Sequence, residues 1–250
     1  MNNYSIGHKS LGRVRIISRS SERFRDRQEA GRLLAKQLTE MRGKKAVVLG
    51  IPRGGIIVAR ELARALEAEL DIVLSHKLRT PGHQELALGS ISEDGKLFLN
   101  EALVQELGVG SGYIEKERAQ QLVEIKHRAE LIRKVRPKVP LKGRLVIVTD
   151  DGVATGATTQ AALWAVRQEQ PRRLIAAIPV GAEETVRRLA EDADETVCLR
   201  APQFFVAVGQ FYVRFDQVQD EEMLEILKEE FASQSGNEAA GARKNNEVGV

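Results

Sequence analysis

The sequence predicts an α/β protein built on a doubly wound, mainly parallel sheet flanked by helices. Three observations predict it. Short apolar runs recur along the chain, among them "KAVVLGI", "RLVIVT", "RLIAAIPV" and "ETVCL". Most are followed by stretches with the 3.6-residue apolar period of a surface helix. The runs are apolar throughout rather than alternating, as in strands covered by helices on both faces.

Taken in order, residues 1–20 read as a flexible basic leader, and the domain as residues 21–231. A first helix is predicted from about Ser21 to Met41, with Phe24, Leu34, Leu38 and Met41 near one face. "KAVVLGI" is a buried strand, "PRGG" breaks it, and "GIIVARELARALEA" is a helix. "LDIVLSHKL" completes a strand–helix–strand unit in about 35 residues, long enough for a parallel crossover. "EDG" before Lys96 predicts a hairpin with Gly95 at positive φ. From about 100 to 140 the chain is charged and helical with few large apolar residues, and reads as an excursion from the core. "RPKVP" ends it, because proline cannot continue a helix. Two further strand–helix pairs and the strand "ETVCL" follow. Residues 201–218 hold five of the eleven aromatic side chains. "DEEMLEILKEEF" reads as a closing helix, and residues 232–250 as a disordered tail.

Composition bounds the function. A chain of 250 residues, 42% hydrophobic and 29% charged, is that of an ordinary globular domain. The one cysteine, Cys198, excludes an internal disulfide framework and suits a reducing, cytoplasmic setting. No apolar run is long enough for a membrane span, and the first twenty residues lack the apolar core of a secretory signal. Residues 1–45 are rich in Arg and Lys, which admits nucleic acid as a partner; a solvated helix face is the plainer reading. A homodimer is also admitted.

In open parallel sheets, ligands bind beyond the carboxyl ends of the strands. Two predicted strand ends carry unusual loops. "VIVTDDGVATGATT" puts Asp150 and Asp151 at the mouth of a loop rich in Gly, Ala and Thr. Backbone N–H groups of such a loop, with the next helix N-terminus, form a cradle for a phosphate. Carboxylates accept hydrogen bonds from sugar hydroxyls. A ribose 5-phosphate would use both in sequence, its phosphate in the loop and its hydroxyls on the acids. A single helix-capping Asp would need one acid, not two. "IPRGG" follows the first strand of the strand–helix–strand unit in the same way.

Together these motifs resemble the type I phosphoribosyltransferases. The resemblance implies that family's fold, with a small hood, and binding of 5-phosphoribosyl-1-pyrophosphate (PRPP) with Mg²⁺. By it, Asp150 and Asp151 are the catalytic acids, taking the ribose hydroxyls and reaching Mg²⁺ through water and PRPP. Gly152, Val153, Ala154, Thr155, Gly156, Ala157 and Thr158 surround the 5′-phosphate. Arg53, Gly54 and Gly55 serve the pyrophosphate, with a non-proline cis peptide implied at Pro52–Arg53. Lys77 is the implied basic residue after the next strand, reaching the pyrophosphate, with Arg79 second. The hood implied at 201–218 would offer Phe204, Phe205 and Tyr212 to a flat nitrogenous acceptor. "FRDRQEAGRLLA", "PGHQELALGSISE" and "FFVAVGQFY" further resemble a bacterial subgroup of stand-alone members, so the likeness covers about residues 23–228.

One departure limits the acceptor. Hypoxanthine/guanine-type members carry an acid three residues after the second acid, where this chain has Ala154. The implied reaction is therefore phosphoribosyl transfer to an unnamed nitrogenous acceptor, with release of pyrophosphate. The same fold admits a PRPP-sensing regulator, or a phosphatase or phosphorylase acting on a ribose phosphate. The four histidines show no metal-ligand spacing. Cys198 and Trp164 read as core, Trp164 packing on the sheet.

Overall fold

A computed structural model describes residues 11–247. Six parallel strands form the main sheet: β1 (Arg13–Ser18), β2 (Val47–Gly50), β3 (Glu69–Ile72), β7 (Leu145–Thr149), β8 (Arg173–Val180) and β9 (Glu195–Arg200). Their order is β1-β9-β8-β7-β2-β3. A second, antiparallel sheet holds β4 (Ser75–Thr80), β5 (His83–Ser92) and β6 (Leu97–Leu99).

Strand periodicity sorts the core into two layers. Val48, Ile147, Ile175 and Val197 face one side, with helices α1 (Arg27–Ala35) and α2 (Gly55–Leu66). Val47, Leu49, Val146, Val148 and Cys198 face the other, with α5 (Ala157–Arg167) and α6 (Glu183–Leu189). Sheet flanked by helices on both faces is the predicted class.

Several elements differ from expectation. The predicted leader contributes β1, an edge strand parallel to β9; the leader's first ten residues lie outside the described residues. "RVRIIS" hides its strand character because an edge strand facing solvent carries charge. The first helix starts only at Arg27, capped by Asp26, whose side chain accepts from the Glu29 N–H. Before it, Phe24 is fully buried and exchanges backbone bonds with the 201–218 segment: its N–H donates to Phe211 O at 2.7 Å, and Val213 N–H donates to Phe24 O at 2.8 Å. The run "LDIVLSHKL" is two strands in different sheets, parting after Ile72. The "EDG" hairpin is present, with Gly95 at φ 77°.

The charged stretch forms α3 (Glu101–Glu106) and α4 (Ser111–Val135), and α4 is not detached from the core. Ile125 and Ile132 are buried in the same cluster as α1 and α2. α7 (Asp220–Glu247) runs on through most of the predicted disordered tail. Residues 201–218 are irregular apart from a short 3₁₀ turn, Val208–Phe211.

Candidate active site

The chain reverses its direction of winding at β2. From β2 it passes to β3 on one side, then returns to place β7 on the other. Such a switch point opens a crevice beyond the strand ends. The two unusual loops leave these two strands, and Gly50 lies opposite Thr149 in register.

They interlock through glycine. A Cβ on Gly54 would lie 2.0 Å from Asp151 Oδ2, and one on Gly55 would lie 2.9 Å from Asp150 Cα. Only glycine lets "IPRGG" pass this close to the acids. The Pro52–Arg53 peptide is cis, and Arg53 is half-buried in this loop.

Asp150 Oδ1 accepts the Asp151 N–H at 2.8 Å. Burial pushes the Asp150 carboxyl well above the usual carboxylate range, and the neighbouring Asp151 charge adds to it. Burial also raises Asp151, opposed by the guanidinium of Arg27, whose Nε donates to Asp151 Oδ2 at 2.7 Å. Arg27 is 8% exposed.

The second loop is fastened by its carbonyls. Val153 forms an isolated bridge with Gly181. Val153 O accepts from Ala182 N–H, Ala154 O from Thr185 Oγ1 at 2.7 Å, and Thr155 O from Arg188 Nη2. Gly156 takes φ 75° and α5 starts at Ala157. The first N–H groups of a helix have no acceptor within it, and attract anions. Ala154, Thr155 and Thr158 are exposed, whereas Gly152, Val153, Gly156 and Ala157 are buried. A Cβ on Gly152 would meet Val208 Cγ1 at 2.5 Å, so the 201–218 segment sits directly over this loop.

Lys77 is half-buried on β4, which packs on α5, the helix that the Gly152–Gly156 loop opens. The Arg79 N–H donates to Glu117 Oε1, and the Arg79 guanidinium lies 3.7 Å from the same oxygen.

The three predicted acceptor-binding aromatics separate. Phe204 is 81% exposed, and half-buried Phe205 stacks on Phe211 with centroids 5.1 Å apart. Tyr212 is buried, between Phe24 and Phe215, and its hydroxyl donates to Asp151 O at 2.6 Å. Its ring is core, which corrects its expected stacking on an acceptor; its hydroxyl braces the acid pair instead. Trp164 packs with a tilted ring against Phe98 of β6 and donates to Asp192 Oδ1, so it packs on the small sheet rather than the main one. Cys198 is buried in the sheet, and burial pushes its thiol up to about 12.

Sequence reasoning missed Arg27. A signal was present: a cation in the first turn of a helix opposes the helix dipole, so its partner must lie on another element. The basic density nearby is largely taken up by ion pairs. Arg15 meets Glu195, Arg19 meets Glu183, Arg32 meets Glu61 and Arg42 meets Glu67.

Comparison with known proteins gives a family match. The model described as "Phosphoribosyl transferase domain" matches residues 22–216. The chain belongs to this family. Among proteins related to this phosphoribosyl transferase domain is "Putative phosphoribosyl transferase Rv0571c" of Mycobacterium tuberculosis H37Rv, 43% identical over 204 residues. That match covers 82% of this chain and 46% of the relative, and the counterpart from strain CDC 1551 matches equally. The chain thus spans about half the length of the curated relatives it matches. Among solved structures, TT1426 from Thermus thermophilus is 48% identical, with a TM-score of 0.79. It covers 83% of this chain, and the match spans 98% of TT1426.

Proposed function

We propose that this phosphoribosyl transferase domain binds PRPP and transfers its 5-phosphoribosyl group to a nitrogenous acceptor, releasing pyrophosphate. The observation that carries the reading is the meeting of the two loops at the switch point, with Gly54 pressed against Asp151. A ligand lying there would meet two carboxylates and two N–H-rich turns at once.

In the proposed reaction an acceptor nitrogen forms a bond to C1 of PRPP as the bond from C1 to the pyrophosphate oxygen breaks. Pyrophosphate leaves with the bonding electrons, and the acceptor sheds a proton. Gly152–Thr158 hold the 5′-phosphate through backbone N–H groups and threonine hydroxyls. Asp150 and Asp151 accept the ribose hydroxyls and orient C1. The "IPRGG" turn, with Arg53, and Lys77 from β4 receive the pyrophosphate charge as it grows. Phe204 and Phe205 offer ring surface for a planar acceptor.

The donor set fits Mg²⁺. Two adjacent carboxylates are hard oxygen ligands, and Mg²⁺ commonly binds through one or two carboxylates plus substrate phosphates. Among the described residues, no cluster of three or more His, Cys, Asp or Glu forms a complete cage. When bound, the ion neutralises charge on the departing pyrophosphate.

Pyrophosphate release from PRPP and Mg²⁺, assayed against a panel of bases and amines, tests the reading. Release that depends on one class of acceptor is expected. No release with any acceptor would count against transfer.

A further inference from the structure

Arg27 makes contacts that its own helix does not need. The α1 N-terminus is already capped by Asp26, and the positive end of the helix dipole disfavours a cation beside it. Arg27 is nevertheless buried, and its guanidinium reaches two other elements. Nε donates to Asp151 Oδ2 at 2.7 Å, and Nη1 donates to the backbone carbonyl of Asp216 at 2.8 Å. Its plane lies over the Phe215 ring, 3.9 Å from the centroid. Both hood contacts come from consecutive residues.

We infer that Arg27 is the positioning residue of the acid pair, fixing the Asp151 carboxylate and tying it to the hood. The inference rests on the reading that Asp151 takes a ribose hydroxyl. Nε engages one oxygen of the Asp151 carboxylate, Oδ2, and so fixes the orientation of the group at the strand end. Gly54 closes the other side, since a Cβ there would sit 2.0 Å from Oδ2 and 3.0 Å from Arg27 Nε. Behind Arg27 a cleft of about 370 Å³ opens, lined among others by Arg25, Asp26, Arg214, Asp216 and Glu222. The Arg27 side chain thus touches Asp151 and also lines that cleft. Lysine could supply the charge, but not two donors in one plane over a ring.

The test is a double-mutant cycle read by calorimetry with PRPP and Mg²⁺. In the otherwise unchanged protein, Arg27→Met is expected to weaken PRPP binding at least tenfold, with Arg27→Lys recovering only part. In an Asp151→Asn background, Arg27→Met is expected to cost less than threefold, because its target is already gone. An equal loss in both backgrounds would mean a general structural role and would overturn the inference, as would unchanged affinity in the first. Should Arg27→Met fail to fold, Phe215→Leu replaces it. That variant withdraws the ring and keeps apolar bulk; a loss that disappears beside Asp151→Asn supports the inference, and an equal loss overturns it. A wild-type protein that does not bind PRPP overturns the underlying reading as well. Wild-type binding with an uncoupled Arg27 overturns this inference alone.

Discussion

Asp150 is held at a cost to the fold. Its carboxyl is raised by burial and by the adjacent Asp151 charge, and a hydrogen bond from the Asp151 N–H only partly offsets this. A carboxyl whose folded pKa is raised binds its proton more tightly when folded. Its contribution to stability is complete below the ordinary carboxylate pKa and is lost as pH rises through the raised value. At neutral pH the fold therefore bears the cost of burying this acid. Asp150→Asn removes it, so the ligand-free variant should melt higher than wild type at neutral pH. Each kcal/mol relieved raises Tm by roughly 2–4 °C for a domain of this size. The difference should shrink as the pH is lowered, and thermal melts across pH check this. A variant that melts lower at pH 7 and gains nothing by comparison with acid pH would contradict it. The adjacent acids were legible in the sequence because nothing structural needs two. Arg27 and Tyr212 were not, because their bonds to residue 151 span 124 and 61 positions and leave no local pattern.

Among the elements, the loops explain the glycines and α4 explains the charges. Gly54, Gly55 and Gly152 are each crowded by the facing segment, so the small-residue composition read as an anion cradle is also a packing requirement. α4 was the least legible element. Its polar residues suggested a detached excursion, yet many are partners of the strands beneath. Gln121 meets His76, and Tyr113 donates to Arg79 O. Arg133 donates to Asp71 Oδ1 at 2.7 Å and grips both oxygens of Glu93. Asp71 is 1% exposed and keeps further bonds from the N–H groups of Ile72 and Val139. Arg133→Met would leave buried Asp71 without its cation, and Glu93 with Lys138 alone at 3.8 Å. Breaking such a group by removing one partner costs about 3–5 kcal/mol. Urea unfolding should show a loss of that order, and a change under about 1 kcal/mol would mean that water already screens the group. β1 escaped notice for the opposite reason: Arg15 pairs with Glu195 of the neighbouring strand, and the charge conceals a strand in a basic run.

At the scale of the whole molecule, the strand order decides where chemistry can occur. With β2 and β7 adjacent and the chain turning outward on both sides, one crevice receives the loops of both strands. The alternation of apolar runs and helices was enough to predict this architecture, because parallel strands covered on both faces have few alternatives. The antiparallel β4-β5-β6 unit was harder to see, since "LDIVLSHKL" crosses from one sheet to the other without a Gly or Pro. No helix among the described residues is long and apolar enough to cross a membrane. We propose that this crevice receives PRPP, with ribose on the acids and phosphate in the loop. Titration calorimetry with PRPP in the presence of Mg²⁺ checks this placement. Saturable binding to one site per chain is expected, weakened at least tenfold when Asp150 and Asp151 are both replaced by Asn. No heat of binding to the wild-type protein, or equal affinity in the doubly substituted one, would contradict it.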